Sequence, residues 1–463
     1  MYTVSTYSFV SHSGTTEIRV LDIATGQSRL ITNEEGTSSP NWLVGRDILW
    51  LRTDKNSTKL VVGNADDVGN SYDAATVPAE VSDIKVKRLG DKKVAIALVA
   101  KAKPDGSLFS PQEEATPRST ARLYDNTFVR HWDTYVAPNK NAIWHAILEQ
   151  KSREYAMGEL TNILKGSKLE SPIPTFGGLD NFDLASTGIC FVAKDPDLNP
   201  AFNTRSNFYY VSIKYGSNSL EYSRPVKSQV KNYEGASTSP AFSPDGESAV
   251  YLQMRENGYE SDKNHLFIVD VEDPDEALEL MPTDGGEGLW DRNPQSVSFG
   301  SESLTLLLTA EDEGKVKLYK LALPGNPRPS TNLPEALTSQ GQVTGYHVLG
   351  EKTSKVLLSS TSFVDGSYYS TVDIGGSTPR HHIVSSSSQN GSLFHLSWEQ
   401  ISEIWFDGQE DYKVHAWVIT PSAFDPEEQY PLAYIIHGGP QGSWEDGWST
   451  RWYALGISMT GPQ

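Results

Sequence analysis

The feature that most constrains the fold is a short unit that recurs along the first 395 residues. Each copy contains a proline or an aspartate, an aromatic residue, a turn and then an apolar strand. The Pro-Asp-Gly at 244–246 explains the turn, because proline presets φ and glycine accepts a positive φ. Four copies are recognisable: Thr37–Arg52, Gly178–Lys194, Ser237–Met254 and Arg292–Ala310.

Strand pairs between these copies extend the repeat. Glu17–Thr32, His265–Met281 and Lys315–Gly325 each read as a strand, a tight turn and a strand. A strand quartet that recurs about every 50 residues is typical of a β-propeller, and residues 1–395 then give roughly seven blades. We therefore predict a mainly β chain. An array of two-sheet sandwiches is the alternative, but it leaves the repeated proline-aromatic-turn unit unexplained.

The pattern changes after residue 396. Gln400–Pro421 predicts a hairpin, and Pro431–Ile436 is a continuous apolar run, as expected for a strand that is buried on both faces. This run leads directly into the glycine-rich segment His-Gly-Gly-Pro. A strand followed by a glycine loop is typical of the start of an α/β sheet. We therefore predict a propeller domain over 1–395 and the beginning of an α/β-hydrolase domain over 396–463.

Composition narrows the classes of ligand. The net charge of −20 repels nucleic acid and anionic lipid, so we expect neither as a partner. It is compatible with cationic ligands such as peptide amino termini, and equally with solubility alone. The single cysteine, Cys190, lies in an apolar run and is predicted to be buried in a strand. No cofactor is implied, since His381 and His382 are adjacent and would point to opposite faces of a strand.

Sequence signals for location are few. Asn56 and Asn390 each begin a sequon and are candidate glycosylation sites if the chain is secreted. Met1 is followed by an alternating run rather than by a secretory leader. No apolar stretch approaches the length that spans a membrane.

The His-Gly-Gly-Pro segment has a chemical interpretation. In serine hydrolases of the α/β class, a glycine-rich loop after an early strand helps to shape the oxyanion hole. Either the His437 side chain or a backbone N–H of this loop is then a candidate donor to the oxyanion. A tight strand-to-loop turn without chemistry is the structural alternative.

Several segments resemble a known family. Tyr430–Trp452 is similar to the same segment of the fungal secreted dipeptidyl-peptidase V enzymes, which belong to the prolyl oligopeptidase clan, in the branch with acylaminoacyl-peptidases. Arg122–Val136, Phe176–Gly188, Tyr251–Asp270 and Ser402–Pro421 also resemble family segments, in the same order. The resemblance runs from residue 1 to about residue 452.

The resemblance implies a secreted serine exopeptidase that acts on short peptides, with a propeller that caps the hydrolase domain. It implies that His437 stands where the clan places its oxyanion-hole side chain, a tyrosine in several relatives. Gly438 and Gly439 would then shape the loop. No cofactor is implied by the resemblance, and no oligomeric state.

In related dipeptidyl-peptidases, acidic propeller residues hold the free α-ammonium of the substrate. The segment RENGYESD is the candidate here, with Glu256 and Glu260 as carboxylates and Tyr259 as an aromatic wall. An ordinary acidic loop between strands is the alternative. In the family-like segment RHWDTY, Arg130, Trp132 and Asp133 either line a pocket or close a blade. We expect blade closure, through an Arg–Asp pair and a buried Trp132.

The nucleophile of the family lies in a Gly-x-Ser-x-Gly-Gly elbow, and no such elbow occurs in these 463 residues. Ser458 has glycine two residues before it but threonine two after it, so we exclude it. The catalytic Ser, Asp and His are thus expected to be absent, and the chain to be incomplete, inactive as given and disordered or aggregation-prone in its tail. A non-catalytic propeller that binds ligands and an acylaminoacyl-peptidase-like fragment are the other hypotheses.

Overall fold

The computed structural model describes residues 1–113, 119–125, 127–216, 219–325, 329–350, 353–376, 378–439 and 441–449. Within these ranges the chain is nearly all β, which confirms the mainly β prediction. Helix is limited to short 3-10 turns at Pro111–Glu113, Leu179–Asn181, Ser392–Phe394 and Trp398–Gln400. In this part of the chain no helix is long and apolar enough to cross a membrane. The chain divides into two compact units, Met1–Leu280 (unit 1) and Met281–Gln463 (unit 2).

Unit 1 consists of consecutive antiparallel sheets. β1–β3 form one sheet, β4–β7 the next and β20–β23 the last, while β10 and β11 form a separate pair. Two five-stranded sheets lie between β7 and β20 in chain order. One consists of β8, β9, β12, β13 and β14, and the other of β15–β19. The strands are β1 Tyr2–Ser8, β2 Ser13–Leu21, β3 Ser28–Thr32, β4 Thr37–Trp42, β5 Asp47–Asp54, β6 Ser57–Asn64, β7 Asp67–Val77, β8 Ile84–Arg88, β9 Lys93–Ala102, β10 Arg130–His131, β11 Thr134–Tyr135, β12 Lys140–Lys151, β13 Glu154–Met157, β14 Thr161–Asn162, β15 Phe182–Leu184, β16 Gly188–Lys194, β17 Ser206–Tyr215, β18 Leu220–Tyr222, β19 Val226–Lys227, β20 Ser237–Phe242, β21 Ser248–Met254, β22 Asn264–Asp270 and β23 Ala277–Glu279.

Unit 2 contains an eight-stranded sheet and a hairpin. The large sheet has two four-stranded halves, β24–β27 and β28–β31, joined by a single parallel pair between Val316 and Gln342. The predicted hairpin within Gln400–Pro421 is confirmed as β32 and β33. Lys315–Gly325 was predicted as two strands, but it contributes only β26. The strands are β24 Pro294–Phe299, β25 Thr305–Asp312, β26 Lys315–Ala322, β27 Glu335–Ala336, β28 Gln342–Val348, β29 Lys355–Thr361, β30 Tyr368–Asp373, β31 Arg380–Ser386, β32 Ile401–Asp407 and β33 Lys413–Ile419.

The recurring sequence unit corresponds to the first two strands of a sheet. In two copies, a serine directly before proline takes a positive φ, 50° at Ser39 and 55° at Ser239. The register between the paired strands shifts at the same point, between Ser38 and Asn41 in one copy and between Thr238 and Ala241 in the other. The Ser-Pro of the repeat therefore encodes a β-bulge, which twists the outermost strand of each sheet.

Apolar side chains of successive sheets form the core of unit 1. A large cluster of buried residues runs from Leu43 to Ile213 and draws on three sheets. Cys190 is fully buried in β16, as predicted, and burial raises the pKa of its thiol well above the ordinary value. Each sheet therefore buries a face against its sequence neighbour, which a single four-stranded sheet cannot do alone.

The strand predicted at Pro431–Ile436 is wrong, since these residues have no strand pairing. Leu432 is 88% exposed and Ile436 is 72% exposed. A strand that is central in a parallel sheet needs backbone partners on both sides. No strand in the described part of the chain pairs with this segment, and its apolar composition alone does not produce a strand.

Candidate peptide-binding site

The predicted amino-terminus site lies on the loop between β21 and β22, Arg255–Asp262 (the acidic loop). The carboxylate of Asp262 closes this loop by accepting hydrogen bonds from the backbone N–H groups of Arg255 at 2.9 Å, Glu256 at 2.7 Å and Lys263 at 2.8 Å. Asp262 is therefore committed to the backbone of its own loop. Gly258, with φ of 88°, supplies the left-handed residue that the turn requires.

Asn257 ties the acidic loop to the loop before β17. Its side-chain oxygen accepts from the backbone N–H groups of Thr204 at 2.9 Å and Arg205 at 3.3 Å, and its amide nitrogen donates to Asn203 at 2.6 Å. The backbone N–H of Gly258 donates to the Thr204 hydroxyl at 2.8 Å. The acidic loop is thus anchored to the loop before β17. Sequence reasoning missed Asn257, because its partners lie more than 50 residues away in the chain.

The predicted ligands Glu256, Tyr259 and Glu260 all lie on the exposed surface of this loop. Within the described residues, neither glutamate has an ion-pair partner within 4.0 Å. Lys194 is electrostatically coupled to Glu260: burial lowers the pKa of the lysine, and the charge of Glu260 partly opposes this effect. The Lys194 ammonium is therefore near enough to Glu260 for the two charges to interact. Binding of a peptide terminus by these residues remains a prediction.

A cavity in unit 1 adjoins the acidic loop. Thr204 and Lys194 are shared, because they line the cavity and also interact with the loop. The Lys194 ammonium donates to the Thr204 carbonyl at 3.3 Å. The rest of the lining mixes rings, hydroxyls and one carboxylate, and it includes His131, Pro174, Phe176, Asp180, Ser206 and Ser237.

The role expected for the segment Arg130–Asp133 needs correction. Trp132 is 72% exposed, so it is not the buried tryptophan of a closed blade. The Arg130 guanidinium lies over the Tyr135 ring at 5.9 Å, and the Asp133 carboxylate accepts from the Thr134 hydroxyl at 3.1 Å. The two predicted partners are thus engaged by other residues. The reason is local: Arg130 is paired with Tyr135 in the register of β10 and β11, whereas Asp133 lies in the turn between these strands, next to Thr134.

The predicted oxyanion residues lie in unit 2. His437 is exposed, and its Nδ1 lies 2.9 Å from the Gly438 carbonyl oxygen. Because a carbonyl only accepts, Nδ1 is the donor in this contact. Gly439 has φ of 140°, and a Cβ at this position would lie 2.7 Å from the backbone nitrogen of Gln441. Glycine is therefore required at 439, while Gly438 has open space around it.

Both sequons are accessible. Asn56 is exposed in the turn between β5 and β6, and Asn390 is exposed in the turn after β31 with φ of 55°. An oligosaccharide on either side chain would point into solvent. Their glycosylation remains a prediction.

The fold is shared with peptidases of known structure. No family model matches the chain. The acylaminoacyl peptidase of Pyrococcus horikoshii superposes on 96% of this chain with a TM-score of 0.59, over 59% of its own length. The two sequences are 13% identical, so this likeness shows the fold alone. Over most of its length, the chain therefore has the fold seen in this peptidase.

Sequence comparison gives the closer relationship. The chain is 32% identical over 467 residues to dipeptidyl-peptidase 5 of Aspergillus fumigatus, and 33% identical over 465 residues to a probable dipeptidyl-peptidase 5 of Arthroderma benhamiae. Both matches cover 98% of this chain and 62% of the relative. The chain is thus a homologue of the dipeptidyl-peptidase 5 proteins, which confirms the resemblance seen in its sequence. It spans about three-fifths of the length of these relatives.

Proposed function

We propose that this chain is part of a serine-type dipeptidyl-peptidase that releases dipeptides from the free amino termini of short peptides. The observation that carries the proposal is the 32% identity, over 98% of the chain, to proteins named dipeptidyl-peptidase 5. The rigid acidic loop supports it chemically, because exposed carboxylates on a fixed backbone suit the recognition of an ammonium group.

In this proposal Glu256 and Glu260 bind the α-ammonium of the peptide, and Tyr259 packs beside it. The hydrogen bonds of Asn257 and Asp262 hold the backbone of the loop, so little conformational entropy is lost when a peptide binds. A blocked amino terminus loses the positive charge and leaves the carboxylates without their partner. The site would therefore select free amino termini.

The second half of the proposal concerns His437, Gly438 and Gly439. The positive φ of Gly439 lets the backbone turn sharply, which supports a role in shaping an oxyanion loop. These 463 residues contain no Gly-x-Ser-x-Gly elbow. The proposal therefore assigns two roles to these residues: binding of the peptide and formation of the oxyanion loop. It assigns no catalytic nucleophile, aspartate or histidine to them.

The proposed architecture follows the repeat. We assign seven blades to residues 1–395, with the two halves of the eight-stranded sheet counted as separate blades, and the beginning of an α/β-hydrolase domain to residues 396–463. The antiparallel order within each sheet supports the blades. We also propose secretion, as the resemblance to secreted fungal enzymes implies. Glycosylation at Asn56 and Asn390 is part of this proposal and is supported by the exposure of both turns.

The experiment measures binding of the 463-residue chain to a fluorescent alanine tetrapeptide, with its amino terminus either free or acetylated. We expect the free peptide to bind at least about tenfold more tightly, since loss of a charged hydrogen bond costs about 1.5–3 kcal/mol. Glu256→Gln and Glu260→Gln should reduce this preference. Glu272→Gln, an exposed glutamate in the turn between β22 and β23, is the matched control.

Two results would point elsewhere. Tighter binding of the acetylated peptide would favour an acylaminoacyl-peptidase-like protein. Binding of neither peptide would leave the alternative of a propeller that recognises another ligand. The variants then decide whether the acidic loop is the site, because only a loop that contacts the terminus changes the free-to-acetylated ratio.

A further inference from the structure

The loop Ile173–Asn181 is rigid and yet presents an aromatic ring to solvent. The Asn181 side-chain oxygen accepts from the Ile173 N–H at 3.0 Å, and the Gly177 N–H donates to the Ile173 carbonyl at 2.8 Å. A Cβ at Gly177 would lie 2.2 Å from that Asn181 oxygen, so the loop closes around this glycine. Phe176, at its tip, is 69% exposed.

Two further rings complete an aromatic wall, which we define as His131, Trp132 and Phe176; the His131 ring is half-buried and the other two are exposed. The ring centroid of Phe176 lies 5.5 Å from that of Trp132 and 5.8 Å from that of His131. Trp132 is 72% exposed, and His131 and Phe176 line the cavity. Aromatic rings that a fixed backbone holds in contact with water are typical of ligand-binding surfaces.

The wall and the acidic loop adjoin the same cavity. Thr204 lines the cavity and accepts a hydrogen bond from Gly258 of the acidic loop at 2.8 Å. Lys194 lines the cavity and is coupled to Glu260. A peptide whose amino terminus is held at the acidic loop would therefore have its first residue within reach of the cavity.

The charges of the cavity restrict the side chain of that residue. Both charged groups are already engaged within the protein: the Lys194 ammonium donates to the Thr204 carbonyl at 3.3 Å, and the Asp180 carboxylate accepts from the Gly178 N–H and the Asn181 amide, each at 3.0 Å. A charged ligand side chain would have to compete with these contacts. The rings offer apolar contact instead. The geometry points to the aromatic wall as the site that binds an aromatic or large aliphatic side chain on the first residue of the peptide. This assignment of a substrate class rests on the proposed function, in which the acidic loop holds the terminus.

The test compares binding of the 463-residue chain to the free tetrapeptides Phe-Ala-Ala-Ala, Ala-Ala-Ala-Ala and Lys-Ala-Ala-Ala. We expect the phenylalanine peptide to bind about tenfold more tightly than the other two, as the burial of one aromatic side chain allows. Phe176→Ala should abolish this preference. Phe9→Ala is the matched control, because Phe9 is 82% exposed and does not line the cavity.

The thermal unfolding midpoint should be the same for Phe176→Ala and the unaltered chain, since the ring is exposed. The inference is overturned if Phe176→Ala keeps the tenfold preference, or if the lysine peptide binds best. Acetylated versions of the peptides distinguish a failure of this inference from a failure of the proposed function. If acetylation has no effect while Phe176→Ala still removes the preference, then the acidic loop is the wrong anchor and the aromatic wall stands.

Discussion

The two units contain buried ionisable groups that are satisfied to different degrees. In unit 1, His145 is fully buried in β12; its Nδ1 lies 2.8 Å from the Tyr222 hydroxyl, and its Nε2 is buried without a hydrogen-bond partner in the described structure. In unit 2, Asp446 is fully buried, and its carboxylate accepts from the N–H groups of Gly341 at 2.7 Å and Phe363 at 2.9 Å. The histidine is therefore kept neutral, whereas the aspartate organises the backbone around it.

Within unit 2, two neighbouring segments also differ in whether their polar groups have hydrogen-bond partners. Pro431–Ile436 is apolar, exposed and unpaired. Trp444–Trp448 is held in place: the Trp417 indole donates to the Trp444 carbonyl at 2.8 Å, and the Trp448 N–H donates to the Thr361 hydroxyl at 2.9 Å. The comparison teaches that satisfied backbone groups, rather than apolar composition, fix a segment in this chain.

Removal of the buried carboxylate should have the largest effect. Asp446→Ala leaves the N–H groups of Gly341 and Phe363 buried without an acceptor, which should cost about 3 kcal/mol of stability in unit 2. Hydrogen-exchange mass spectrometry should show lost protection around both residues. Asp407→Ala is the control, because that side chain is 82% exposed, and it should change stability by less than about 0.5 kcal/mol. Equal protection in the two variants would contradict the proposed anchor.

The buried histidine should make unit 1 sensitive to acid. Burial lowers the pKa of His145 from its ordinary value of 6.5 to about 4. Between these values the unfolded chain binds a proton that the folded chain does not, so stability is lost as the pH falls. The loss should reach about 3 kcal/mol between pH 7 and pH 4, measured by urea unfolding.

The variant His145→Asn tests this assignment. Its amide can still bond to the Tyr222 hydroxyl, but it does not titrate, so its stability should fall about 3 kcal/mol less over the same pH range. An identical pH dependence in both proteins would assign the acid sensitivity to other groups.

Limited proteolysis should distinguish an anchored segment from an unanchored one. Tyr434 lies in the unpaired segment and is 70% exposed, whereas Tyr259 lies in the acidic loop and is 37% exposed. Chymotrypsin should cleave after Tyr434 at least about tenfold faster, because cleavage needs a backbone that opens locally. Mass spectrometry identifies the order of cuts. Asn257→Ala should release the acidic loop and so reduce the difference between the two cleavage rates. Equal initial rates at Tyr434 and Tyr259 in the unaltered chain would refute the prediction.

Much of the strand order was predictable from the sequence. The recurring units, with their turns and the alternation around them, specify local hairpins, and these appear as β4–β5, β20–β21 and β24–β25. The buried position of Cys190 followed from the apolar run around it. These features depend on residues close together in the chain, for which turn geometry and side-chain alternation suffice.

The candidate site was predictable only in part. The sequence placed Glu256, Tyr259 and Glu260 on one loop, but it gave no sign that Asn257 anchors that loop to Thr204, or that Lys194 approaches Glu260. It also failed for Trp132, whose ring is exposed, because burial depends on which distant loop covers a side chain.

The sequence by itself determined that this chain folds as successive antiparallel sheets, since each hairpin is encoded by its own turn and alternation. Only the tertiary structure decided that the aromatic wall and the acidic loop adjoin one cavity. It also decided that Trp444–Trp448 is anchored, while Pro431–Ile436 forms no strand pair in the described part of the chain. The physical reason is that a backbone group needs a hydrogen-bond partner and a ring needs a packing partner. Those partners come from distant parts of the chain, as Gly341 and Phe363 do for Asp446.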